Sequence, residues 1–176
     1  LAFPEEEEKL FLKKYYFDSL NQFRVSFVLL TLLYGLFGFL DSLMITELAN
    51  LFHIIRYIFV VPILMVIFLF SFTRGFGKIW QWLLFLSVII GGSGIIIMIL
   101  LVPDNYIYYA GMMLVFSAGY FFIKLRFFLA SIAGWMVLLI YNLGVIFYVH
   151  PPSLMIISTN FFFISANITY VDLVTH

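Results

Sequence analysis

Arg56 is the residue best placed to do chemistry in this 176-residue chain. It opens an otherwise apolar stretch, and a guanidinium there must find a partner or reach water. Asp41 ends the preceding apolar stretch, and Glu47 lies in the short segment between them. A carboxylate and a guanidinium so spaced allow two arrangements. One is a structural ion pair, or Arg56 reaching past its own stem to a lipid phosphate. The other is an outward-facing pocket in which Asp41 and Arg56, with Asp104, Asn105, Tyr106, Tyr108 and Tyr109, meet a polar small-molecule or lipid ligand. Aromatic residues at that depth also suit an interfacial belt.

Other reactive patterns are sparse. The chain has no cysteine, no glycine-rich phosphate loop with a lysine, no paired metal-binding carboxylates and no Ser/His/Asp set that one topology would gather. No catalytic residue and no metal ligand is assigned; His53 and His150 could approach one another, but headgroup contact explains both. Asn167-Ile168-Thr169 matches a glycosylation acceptor, yet falls at the inner end of the last apolar stretch. Asn142, Asn160 and Asn167 are expected to face protein, because an amide in hydrocarbon without a partner is costly. Ser87, Gly91, Gly92 and Gly94, and then Ala130 and Gly134, read as close helix contacts.

The elements that carry these residues follow from charge patterning. Residues 25–40, 57–73, 79–103, 105–123 and 127–171 hold no Asp, Glu, Lys or Arg, and Pro151-Pro152 divides the last run. The spacing predicts six spans, near 24–44, 54–73, 79–102, 106–123, 127–149 and 153–171, each close to the ~20 residues that cross a ~30 Å hydrocarbon core. With 65% hydrophobic residues and 10% charged, no soluble domain of this size could bury so much apolar surface. Continuous rather than alternating apolarity selects helices over a barrel. The fold class is therefore all-α, a polytopic six-helix membrane bundle, whose partners are the lipid bilayer and not nucleic acid.

Every basic residue except Arg56 falls into one of three clusters: Lys9, Lys13, Lys14 and Arg24; Arg74 and Lys78; Lys124 and Arg126. If basic short loops stay cytoplasmic, both termini are inside, and Asp41, Glu47, Asp104 and His150 face outside. Residues 1–23 are too charged to span and lack the order of a secretory signal. They read as a cytoplasmic amphipathic helix on the inner leaflet, with Phe3, Leu10 and Phe17 on one side.

Five segments in order carry a family resemblance: FPEEEEKLFLKKYYFDSLNQFR (Phe3–Arg24), LYGLFGFLD (Leu33–Asp41), IIRYIFVVPILMVIFLFSFT (Ile54–Thr73), YYAGMMLVFSAGYFFIKLRFFLASIAGW (Tyr108–Trp135) and NFFFISAN (Asn160–Asn167). Together they resemble the N-terminal six-helix membrane module of bacterial class III adenylate or guanylate cyclases. Similar modules precede diguanylate cyclase domains. The resemblance implies a homodimeric sensor or anchor in the bacterial inner membrane, with the sixth span leading to a cytoplasmic catalytic domain. That domain would use Mg or Mn and a nucleoside triphosphate, none of which this chain itself holds. It further implies Asp41 and Arg56 as an outer polar pair and the Lys124–Arg126 turn as an inner anchor. Opening at Leu1, and with 172–176 starting a connection but lacking the family's long charged helix, the chain is expected to be part of a longer polypeptide. The membrane module of a diguanylate cyclase, a passive dimerising anchor and a small transporter or channel are the alternatives.

Overall fold

The computed structural model describes residues 5–102, 107–148 and 153–175. Among these residues all regular secondary structure is helical, and four helices are long and apolar enough to cross a membrane. Helix α1 runs over Glu5–Met44. Helix α2 covers Ala49–Phe70 and contains a π-helical segment, Ile54–Val60. Helix α3 is Phe76–Leu101. Helix α4 is Ile107–Ser117, continued by a second π-helical segment, Ala118–Phe122. Helix α5 is Phe127–Tyr148 and helix α6 is Ser153–Thr175. Helices α1, α2, α3 and α5 are the four candidate spans; α4 is shorter. Helix α6 has the length, at 23 residues, but carries Asn160, Asn167 and Asp172.

Helix α1 passes through residue 23 without a break. Helix α1 is one uninterrupted element of 40 residues, about 60 Å long, because no proline and, before Gly35, no glycine interrupts it. The later part of the amphipathic segment packs on α3, whereas Leu10 and Phe17 are exposed. Tyr15 and Tyr16 lie 5.7 and 5.5 Å from the Trp80 ring, and Phe23 stacks on Phe76 at 5.5 Å.

Helix α3 is the core of the bundle. Over half (56%) of its most apolar window is buried, against 28% for α1 and α2 and 39% for α5. Close approach to it depends on small residues, since between helices in lipid it is van der Waals fit that favours association. A Cβ at Gly92 would lie 2.8 Å from Val137 Cγ2 of α5, and one at Gly94 would lie 2.5 Å from the Tyr34 hydroxyl and 2.8 Å from Val60 Cγ2. The outward faces of the outer helices are apolar: Leu29, Leu36 and Phe39 on α1, Ile58, Val66 and Leu69 on α2, and Leu139 and Ile146 on α5 are all exposed, as a lipid-facing surface requires.

Contacts at the two ends show the antiparallel order of the hairpins. At one end Arg24 donates from Nη2 to Ser71 O at 2.5 Å and from Nε to Ser71 Oγ at 3.3 Å, with its guanidinium 4.1 Å from the Phe72 ring centroid. Ser71 caps the C-terminus of α2, so Arg24 meets free carbonyls at the negative end of the helix dipole. At the same end Tyr15 and Gln81 both bond Lys124 O. The opposite end holds Asp41, Arg56 and Tyr108.

Helices α5 and α6 are joined by an amide pair. Asn142 Nδ2 donates to Asn160 Oδ1 at 2.8 Å, and Asn160 Nδ2 donates to Asn142 Oδ1 at 2.9 Å. Asn142→Leu or Asn160→Leu alone should cost about 1 kcal/mol, within the ~0.6–1.7 kcal/mol found for polar contacts between membrane helices. The double substitution should cost less than the sum, because neither amide is then left unmatched. A double-mutant cycle by thermal unfolding in detergent measures this coupling, and strict additivity would show that the pair contributes nothing.

Candidate functional site: a buried aspartate, arginine and tyrosine network

Arg56 sits inside the first π-helical segment, and Pro62 supplies a physical reason for that segment. Proline has no N–H to give to Ile58 O, four residues back, and its ring crowds that carbonyl. The ladder widens instead, with Val61 N–H reaching Arg56 O, five residues back. A π turn inserts one extra residue and re-aims the side chains beside it. In α2 it turns Arg56 into the bundle, where the residue is 2% exposed.

Asp41, 3% exposed, receives it from α1. Arg56 Nε donates to Asp41 Oδ2 at 2.5 Å and Nη2 to Oδ1 at 3.3 Å. Nη1 donates to Tyr34 O at 3.2 Å, and the guanidinium lies 4.9 Å from the Tyr34 ring centroid. Tyr108 of α4 donates its hydroxyl to Asp41 Oδ1 at 2.9 Å. Tyr34 in turn donates to Gly91 O of α3 at 3.4 Å. The network therefore ties α1, α2, α3 and α4 together at one level. Taking both charges out of water is costly, and the bidentate contact with added donors and acceptors is what offsets it.

Beside the network lies a cavity of about 20 Å³, lined by Tyr34, Asp41, Arg56, Ile95, Tyr108 and Gly111 among others. That is room for roughly one water molecule, so a larger ligand requires the helices to part. A second cavity of about 50 Å³ lies on the other side of Tyr34, where Phe27, Leu30 and Thr31 of α1 face Ser87 and Gly91 of α3 and Leu114 and Ala118 of α4. Tyr34 thus stands between two voids, and packing of α1 against α3 and α4 is incomplete there.

Other residues singled out by sequence are distributed differently. Tyr109 points to α6, its hydroxyl 2.7 Å from Thr159 Oγ1 and its ring 6.0 Å from Phe163. It is the neighbouring Tyr108 that joins Asp41. Asp104, Asn105 and Tyr106, and likewise His150, lie outside the described residues. His53 Nε2 is 2.9 Å from both Gly38 O and Ser42 Oγ, which ties the α1–α2 hairpin. Among the described residues no group of three His, Asp or Glu could hold a metal ion. Asn167, fully buried on α6, donates to Phe163 O at 3.1 Å and accepts from Tyr120 at 3.3 Å.

Tyr34 is the member of the network that sequence reasoning overlooked. Its spacing from Asp41 places both on one face of α1, which was the available signal. Comparison of the chain with protein-family models, with curated proteins and with solved structures finds no match.

Proposed function

We propose that this chain is the membrane input module of a signalling protein. It has six spans with both termini cytoplasmic, and it works as a homodimer that holds and regulates a cytoplasmic adenylate or guanylate cyclase domain. The observation that carries the reading is the path of α1. Asp41, in the buried network, and Tyr15, bonded to the Lys124 turn, lie on one unbroken helix, roughly 40 Å apart along its axis. An event that loosens the network can therefore be felt as a shift of a stiff rod at the far end. The two voids around Tyr34 supply space for such a shift. A signalling bundle needs two arrangements separated by a few kcal/mol, one of which a ligand or lipid prefers.

The basic clusters support a cytoplasmic assignment for the Arg24, Lys78 and Lys124 end. A conduit for ions or solutes fits less well. The deep amides Asn142 and Asn160 satisfy each other, and the two cavities beside Tyr34 hold no more than a few water molecules. The reading is tested by cyclic AMP and cyclic GMP production in membranes, comparing the polypeptide that carries this chain with a version lacking residues 1–167. Output that depends on the membrane region supports a receptor or dimerising anchor. No cyclic mononucleotide from either version sinks the cyclase reading and directs attention to a diguanylate cyclase, then to transport.

A further inference from the structure

A cavity larger than those beside Tyr34 lies at the opposite end from the Asp41 network. It is a half-open cleft of about 400 Å³, lined by Tyr15, Tyr16, Gly77, Lys78, Trp80, Gln81, Trp82 and Arg126, with Lys78 and Arg126 exposed at its mouth. That volume is within the ~300–1,000 Å³ of small-molecule sites. Its two charged lining residues, Lys78 and Arg126, are both cations, and neither forms an ion pair among the described residues.

The cavity wall is specifically built. Gln81 donates from Nε2 to Lys124 O at 3.2 Å and accepts from the Arg126 backbone N–H at 2.8 Å, so one side chain clamps both ends of the turn. Tyr15 donates to the same Lys124 carbonyl at 3.1 Å. Lys124 itself has φ 58°, a left-handed conformation that costs a non-glycine residue about 1–2 kcal/mol. The clamp holds this strained turn and with it the backbone from which Arg126 projects. Trp80, Trp82, Tyr15 and Tyr16 place the cavity at the depth where amphipathic rings meet headgroups. Gly77 lets Tyr16 pack in the wall, since a Cβ there would lie 3.3 Å from its ring.

We propose that this cavity binds a phosphate-bearing anion between Lys78 and Arg126. The phosphate is supplied either by the headgroup of an anionic lipid in this leaflet or by a soluble phosphate ester. Arg126 can meet a phosphate bidentately and Lys78 as a point charge. The site is independent of any attached output domain.

The test uses the full chain with Trp135→Phe, so that Trp80 and Trp82 alone report, in phosphatidylcholine vesicles. Brominated phosphatidylglycerol or brominated phosphatidylcholine is titrated in, and tryptophan quenching is read. The expected result is preferential quenching by phosphatidylglycerol, reduced about 5-fold by Lys78→Gln or Arg126→Gln alone and about 25-fold by both. Lys14→Gln with Arg74→Gln removes the same charge outside the cavity and should leave the preference in place. Loss of the phosphatidylglycerol preference on adding millimolar glycerol phosphate assigns the site to a soluble ester; persistence assigns it to lipid. Equal quenching by both lipids with no effect of glycerol phosphate overturns the proposal. So does equal loss in the two double variants, which would mean surface charge alone. Circular dichroism of each variant separates lost binding from lost folding.

Discussion

Arg56→Ala should lower the stability of the folded bundle by about 3–5 kcal/mol, the cost of removing one partner from a buried ion pair. The carboxylate of Asp41 would keep Tyr108 as a donor but lose both charged contacts, in a place with room for about one water molecule. At ~2–4 °C per kcal/mol this is a fall of roughly 10 °C in Tm. Arg56→Lys should be milder, since an ammonium keeps the charge but cannot reach Asp41 bidentately and Tyr34 O together. Arg56→Met with Asp41→Leu should recover most or all of the loss, because replacing a buried pair by apolar groups of similar volume is often neutral or stabilising. Thermal unfolding of the four proteins in detergent, followed by tryptophan fluorescence, measures the series. An unchanged Tm in Arg56→Ala would mean that the pair contributes nothing to the fold. The double variant has a second use under the proposed function. If it is stable but its nucleotide output no longer responds to the membrane region, the pair transmits signal and does more than hold helices together.

Gly134→Ala should cost about 3 kcal/mol, far more than alanine for glycine in a helix, where the propensity change alone is stabilising by up to ~1 kcal/mol. The added Cβ would fall on the Asn167 amide oxygen and press on the Tyr120 hydroxyl at 3.2 Å. Asn167 is fully buried and cannot turn aside without losing Tyr120 or Phe163 O. The cost then combines overpacking, about 1–3 kcal/mol, with an unsatisfied buried amide, about 1–3 kcal/mol. Asn167→Ala in the same protein should recover a large part of it by emptying the space that Cβ needs. The measured quantity is the coupling energy of the double-mutant cycle by thermal unfolding. Additive effects would show that α5 and α6 do not meet at this point.

Both series probe relations that local sequence expressed only in part. Long runs without Asp, Glu, Lys or Arg are visible residue by residue, and in hydrocarbon a continuous apolar run can satisfy its backbone only as a helix. That is why the all-helical class and the extents of α3 and α5 were legible to within a few residues. The candidacy of Asp41 and Arg56 was legible too, because a charge in an apolar stretch is conspicuous wherever it folds. Which partners they take was not. Successive helical residues point about 100° apart, so choosing between Tyr108 and Tyr109 requires the rotation of α4. One π-helical segment in α2 resets the facing of Arg56 against everything after it, and only packing around Pro62 decides whether the ladder widens or breaks. The packing of Tyr15 and Tyr16 on Trp80 and the meeting of Lys78 with Arg126 around one cavity are likewise tertiary outcomes. They depend on how hairpins distant in the chain come side by side, and that is decided by the close approaches at Gly92, Gly94 and Gly134, where the shapes of two helices have to match at once.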